Sequence, residues 1–352
     1  MQRCLELAKL GAGYVAPNPM VGAVLVHENR IIGEGWHQQY GGPHAEVNCI
    51  ESVMQADKEL ISGSVLYISL EPCAHFGKTP PCTDLIIQYK IPKVVIGCRD
   101  PFKEVDGKGI EKLKAAGVEV TMGELENECK ELNKRFFTFH TKHRPYVILK
   151  WAQTADGKIS AGSSERLLIS NEYSNRLVHQ WRSEEAAILV GSNTALLDDP
   201  ELTTRLWPGN SPVRLVVDME LKLPESLKIF NQQTPTIIFN TKVHTEQIER
   251  PPPAPFMGRV GVRYYQVTHD VSLVRQILNA LHQLQLQSVL VEGGAGLLQS
   301  FIAEEIWDEA RVLVNRQLSI GNGLTAPILP AVIKTGEQKL LADKIEIYKP
   351  AF

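Results

Sequence analysis

The chain has 352 residues, 43% of them apolar and 22% charged, which is enough for two domains with separate cores. Its net charge of −3 gives no general attraction to nucleic acid or to an anionic membrane, and no apolar run approaches the roughly 18 residues of a membrane helix. The six cysteines show no disulfide-framework spacing, which suits a reducing cytosol and predicts a cytoplasmic protein.

The first stretch, MQRCLELAKLGAG, reads as a short amphipathic helix rather than a signal peptide, because Glu6 and Lys9 interrupt its apolar residues. VGAVLVHENRIIGEGWH reads as two strands around a His27–Arg30 turn, with His27 at the surface. A helix follows from Pro43, since proline suits a helix's first turn. SVLYISL is a strand, TPPCTDLIIQYK a second proline-opened helix, KVVIGC a strand, and GIEKLKAAGVEVTMG a helix and then a strand. Strands separated by helices predict an α/β/α layered domain with a mostly parallel sheet. One long polar helix over about residues 124–138 leads to Arg144–Pro145. Proline disfavours helix in the residue before it, so the domain boundary falls here, between 1–145 and 146–352. Alternation restarts with YVILKWA, a helix near 171–183, AAILVGS, VRLVVD and PTIIFN. After the PPPAP loop at 251–255 come RVGVRYYQV, a helix near 270–286, SVLVEGG, a helix from about 296, and ARVLVN. This is a second α/β unit.

Chemistry concentrates in GGPHAEV (41–47) and EPCAHFGKTPPC (71–82). His44 opens a helix after Pro43. Cys73 follows Pro72 at a strand end, where a helix is expected to begin and to favour the thiolate. With Cys82 they offer Zn²⁺ one imidazole and two thiolates, leaving a fourth position for water. Glu46 is then a proton shuttle rather than a ligand, as in the zinc-deaminase pattern H-x-E followed by P-C-x-x-C. Here eight residues, not two, separate Cys73 from Cys82. A structural zinc site would need a fourth protein ligand, for which His75 is the candidate. Cys4, Cys49, Cys98 and Cys129 sit among apolar or helical neighbours and read as inert small hydrophobes.

PNPMVGAVLV (17–26), GEGWH (33–37), GGPHAEV and the long EPCAHFGKTPPC insert together resemble the bifunctional riboflavin-biosynthesis deaminase/reductases. The resemblance implies a cytidine-deaminase-like first domain that removes the amino group of a diaminopyrimidinone ribotide, a small-molecule partner. It places Asn18 on the pyrimidine ring and His37, His75 and Lys78 around the pocket.

In the second half, YVILKWAQTADGKIS (146–160) carries a lysine on an apolar strand and ends at an Asp156–Gly157 turn. AILVGSNTALLDDPELTTR (187–205) adds a strand, a small-residue turn, an acidic pair and an arginine. SVLVEGGAGLLQSF (288–301) runs from a strand through a glycine-rich turn into an apolar helix, whose first N–H groups suit phosphate. It lacks the G-x-G-x-x-G fingerprint. In this order the three segments resemble the reductase half of the same family, whose fold is similar to dihydrofolate reductase. The resemblance implies NADPH-dependent reduction of a ribosyl to a ribityl chain. It implies NADPH contacts from Ala152, Thr194, Asp198 and the run Gly294, Ala295, Gly296, Leu297, Leu298, Gln299 and Ser300. Arg182, Leu202, Arg205 and Glu292 would hold the substrate, and paired guanidinium groups suit a ribotide phosphate. A homo-oligomer through the reductase half is expected. Two positions depart from the family: Leu168-Ile169-Ser170 replaces Trp-Ile-Thr, and Met219 replaces a small polar residue. The competing reading, a nucleic-acid deaminase, rests on NKRFFTFHTKHR (133–144), which mixes basic and aromatic residues. Against it, Phe136, Phe137 and Phe139 are placed to close the first core. A zinc-stabilised scaffold without activity is the remaining alternative.

Overall fold

Glu28 and Asn29 take φ of +45° and +66°, the two left-handed residues that a tight hairpin requires. They join β1 (Gly22–His27) to β2 (Arg30–Trp36). The computed structural model describes residues 1–77, 80–162, 167–242 and 261–351. It divides into two compact units, Met1–His143 and Arg144–Phe352.

The first unit opens with α1 (Gln2–Lys9) and continues after the hairpin with α2 (Ala45–Glu51) and a 3₁₀ segment, Gln55–Gly63. β3 (Val65–Leu70), α3 (Cys82–Gln88), β4 (Lys93–Cys98), α4 (Lys108–Ala115) and β5 (Glu119–Met122) follow. The strand order is β2-β1-β3-β4-β5. The expected mostly parallel sheet is in fact mixed. β1 lies antiparallel to both β2 and β3, because a hairpin fixes the first pairing and β3 returns against β1's free edge. Only β3–β4 and β4–β5 are parallel. α2 lies directly on β2, and a Cβ at Gly35 would run into the backbone of Ala45 and Cys49. That close approach sets where α2 begins, and therefore where His44 and Glu46 stand.

The single helix expected over about 124–138 is two, α5 (Glu126–Leu132) and α6 (Lys134–Lys142). Asn133 breaks it: its side-chain amide donates to Met20 O at 2.8 Å and accepts from Met20 N at 2.8 Å. A long-range backbone mimic of this kind outweighs weak helix propensity. Phe136 and Phe139 are buried, and Phe137 packs against a small cluster around Leu5 and Cys98. These rings cannot serve as an exposed stacking platform for bases. Cys4, Cys49, Cys98 and Cys129 are all buried free thiols.

The second unit comprises β6 (Tyr146–Thr154), β7 (Lys158–Ser160), α7 (Glu172–Glu184), β8 (Ala187–Gly191), α8 (Ser192–Asp198), β9 (Val213–Val217) and β10 (Thr236–Asn240). It continues with β11 (Val262–Gln266), α9 (Leu273–Gln283), β12 (Ser288–Val291), α10 (Ala295–Ala303), β13 (Glu309–Asn315) and β14 (Leu324–Thr325). A hairpin of β15 (Val332–Leu340) and β16 (Asp343–Pro350) closes the chain. The nine-stranded sheet runs β11-β10-β9-β8-β12-β6-β13-β16-β15, parallel as far as β13 and antiparallel through the last two strands. Its central strands are buried on both faces and read as continuous apolar runs, as parallel strands do. The PPPAP loop lies outside the described residues. The C-terminal ends of β8, β12 and β6 open side by side, where open α/β sheets bind ligands.

Candidate functional site

His44 is the N-cap of α2 and Cys82 the first residue of α3, while Cys73 sits in the loop after β3. No helix begins at Cys73, contrary to expectation. The favourable helix start comes instead from α3, whose Cys82 N–H donates to Cys73 Sγ at 3.3 Å. His44 Nδ1 lies 3.6 Å from Cys73 Sγ and 3.3 Å from Cys82 Sγ, and the three donor atoms all fall within 4.8 Å of one another. Zinc bonds of about 2.3 Å to sulfur and about 2.0 Å to nitrogen place tetrahedral donors roughly 3.5 Å apart, so the set fits zinc. The Cys82 thiol, with the His44 ring, lowers the Cys73 pKa; the same sharing raises that of Cys82. Among the described residues no fourth donor joins the group, and His75 is not in it.

Glu46, two residues beyond His44, is 3% exposed. Burial raises its carboxyl pKa. His37 is equally buried, and its Nδ1–H donates to Pro43 O at 2.9 Å. Burial lowers its pKa, so the ring is neutral and Nε2 is left to accept from Asn18 Nδ2 at 3.0 Å. The Asn18 carbonyl oxygen is then free of partners within the described residues. His75 packs edge-on near Phe102, and its buried Nδ1 has no partner among the described residues. Lys78 lies outside the described residues.

In the second unit, Ala152 stands near the end of β6, Thr194 and Asp198 on α8, and Glu292 and Gly294 in the turn from β12 to α10. A Cβ at Gly293 would sit 2.8 Å from Thr194 Cγ2, so only glycine lets α8 approach this turn. Gly294 has φ +73°. Leu298 N–H already donates to Gly294 O, and the Leu298 side chain is buried in the core. The N–H groups open to a ligand therefore belong to the first turn, Ala295–Leu297, while Ser300 turns its hydroxyl to Gly296 O. Leu168 is 73% exposed, and Met219 packs against the main core.

Arg182 is not free for phosphate. Its Nε and Nη2 donate to Glu292 at 2.9 and 2.7 Å, and Nη1 reaches Thr203 O at 3.3 Å. Lys150 Nζ lies 3.7 Å from the same carboxylate. Arg205 is half exposed, and its guanidinium stands 3.7 Å from Glu201. Lys150 and His179 were not among the expected site residues. A lysine inside the apolar run YVILKWA was the available signal for the first.

Burial pushes the Glu292 carboxyl up, but Arg182 and Lys150 outweigh it and hold it at about 2, against an ordinary 4.5. A folded value below the unfolded one contributes stability that is present above about pH 4.5 and lost as pH falls toward 2. Glu292→Gln is therefore expected to cost on the order of 3 kcal/mol at neutral pH. Thermal melts of wild type and variant should converge as pH drops below about 4.5.

Residues 1–98 match the family model for the cytidine and deoxycytidylate deaminase zinc-binding region, and residues 145–323 match the RibD C-terminal domain. The riboflavin biosynthesis protein RibD of Aquifex aeolicus (strain VF5) is 42% identical over 327 residues, covering 92% of this chain and 88% of that protein. Its counterpart in Actinobacillus pleuropneumoniae is 38% identical over 330 residues, covering 93% and 86%. The crystal structure of a diaminohydroxyphosphoribosylaminopyrimidine deaminase/5-amino-6-(5-phosphoribosylamino)uracil reductase from Thermotoga maritima aligns with a TM-score of 0.87. It is 37% identical, covering 100% of this chain and 97% of that one.

Proposed function

This chain belongs to the RibD family of riboflavin-biosynthesis deaminase/reductases, and we propose how its own residues divide the two reactions. The protein joins a zinc-dependent deaminase to an NADPH-dependent reductase. We assign the deaminase to 1–145 and the reductase to 146–352; the compact units divide two residues earlier, between His143 and Arg144. The observation that carries the first assignment is one imidazole and two thiols gathered around a common point, with a buried Glu46 nearby.

The deaminase substrate is 2,5-diamino-6-(5-phosphoribosylamino)pyrimidin-4-one. His44, Cys73 and Cys82 hold zinc, which when bound supplies the Lewis acidity that makes water nucleophilic near neutral pH. Glu46 carries two protons in turn, one from the attacking water to a ring nitrogen and then the one left on that oxygen to the amino group, which departs as ammonia when the C–N bond breaks. Neutral His37 orients Asn18, whose free carbonyl oxygen reads a ring N–H or amino group, and His75 is assigned to the same substrate.

NADPH, when bound, supplies the reducing equivalent, and the chain supplies placement. The first turn of α10 takes its phosphates, beside Ala152, Thr194 and Asp198. Arg182 fixes Glu292, Leu202 shapes the loop, and Arg205 is the guanidinium left for the ribotide phosphate. The outer edge of β15, with Ile333 57% exposed, supports a homo-oligomer through this unit. The protein acts in the cytoplasm on a small molecule, and the inward-facing Phe136 and Phe139 speak against nucleic acid.

A coupled assay on the diaminopyrimidinone ribotide, following ammonia and NADPH together, tests the whole reading. Arg205→Ala is expected to leave ammonia release intact and to cost the reductase about 1.5–3 kcal/mol, roughly 10- to 150-fold in kcat/KM. Equal loss of both activities would count against it.

A further inference from the structure

The segment Glu201–Arg205 carries Arg205, assigned above to the ribotide phosphate, yet it belongs to no helix or strand. Leu202 within it takes φ +56°, a conformation that a leucine adopts only when its surroundings hold it there. The Leu202 side chain is buried in the core and Thr204 N–H donates to Ser211 Oγ at 3.1 Å, while the backbone on either side of Thr204 is held from α7. Arg182 Nη1 donates to Thr203 O at 3.3 Å, and His179 Nδ1 accepts the backbone N–H of Arg205 itself at 3.1 Å. His179 and Arg182 are three residues apart and so neighbours on one helical face. His179 is 4% exposed. Its Nδ1 can accept only while unprotonated. Burial, followed by the charges of Arg182 and Arg205, keeps the ring neutral by pushing its pKa down to about 4.

We propose that His179 is a positioning residue for the reductase: it fixes the Arg205 backbone so that the guanidinium meets the substrate's phosphate. This inference rests on the assignment of Arg205 to that phosphate. Histidine suits the task because its ring reaches from the helix and offers an acceptor without bringing a negative charge beside the two arginines. A carboxylate there would pair with the guanidinium groups and compete with the ligand phosphate.

The test uses the full-length protein, loaded with zinc and NADPH. The substrates are 5-amino-6-(5-phosphoribosylamino)uracil and its dephosphorylated ribosyl analogue. His179→Ala is expected to raise KM for the phosphorylated substrate about three- to tenfold, the size of one net hydrogen bond, with kcat changed less than about twofold. KM for the dephosphorylated analogue and NADPH affinity should not move. His179→Asn, whose side-chain oxygen can occupy the Nδ1 position, should restore KM. Combined with Arg205→Ala, His179→Ala should add nothing further, because both act through one contact. If Arg205→Ala raises KM and His179→Ala does not, the positioning role is overturned alone. It is likewise overturned alone if His179→Ala raises KM equally on both substrates, or if its effect adds to that of Arg205→Ala. If Arg205→Ala itself leaves KM unchanged, the phosphate assignment fails and the positioning role falls with it.

Discussion

Glu46→Ala is expected to retain zinc and lose about 10²–10⁴ in the rate of deamination, the usual contribution of a general acid/base. The group that could hold the ion is His44, Cys73 and Cys82, and Glu46 is not in it, so truncating it removes none of those donors. Its buried carboxyl stands beside the Cys82 thiol, within reach of the same small space. Reduction draws on residues of the other unit and needs none of these groups. Given the already deaminated ribotide, Glu46→Ala should oxidise NADPH at close to the normal rate. A folded, zinc-loaded variant that is silent in both reactions would refute the two-site model.

The double substitution His44→Ala with Cys82→Ser is expected to abolish zinc binding and take deamination below detection. Only Cys73 would remain of the donor set, and one thiolate does not hold the ion. Because the ion binds the folded site and not the open chain, its loss also lowers the stability of the first unit. The cost is about 4 kcal/mol where free zinc stands at roughly a thousand times its dissociation constant. Metal analysis, with calorimetry of the full chain, measures both. Stoichiometric zinc in the double variant would refute the ligand assignment.

The ligand set was legible because its logic is chemical. A His two residues before a Glu, two cysteines after prolines, and an apolar strand before each turn are all local patterns. The same holds for most strands and helices, whose periodicities are set by residues a few places apart. The arginines show where that stops. In sequence, Arg182 and Arg205 looked like equivalent phosphate clamps. The fold pairs Arg182 with Glu292, which lies 110 residues away, and leaves Arg205 half exposed. His179 carried no pattern at all, since its role is to accept one backbone N–H from a loop 26 residues on. The break at Asn133 depended on Met20, 113 residues earlier. The β15–β16 hairpin went unread because KTGEQK lacks the period-2 apolar alternation of a half-buried strand, its pattern being mostly exposed.

By itself, then, the sequence determined the element types along most of the chain, the His44, Cys73 and Cys82 group that the fold gathers, and the family's two chemistries. These are written in residue type and short spacing, which act before any distant contact forms. Tertiary structure alone decided that β1 sits between two antiparallel neighbours, that α3 rather than a helix at Cys73 points an N–H at that thiol, and which arginine Glu292 engages. Each of those depends on where two distant segments meet. A hydrogen bond or ion pair reaches only about 3–4 Å, so its partner is unspecified until packing has brought the segments together.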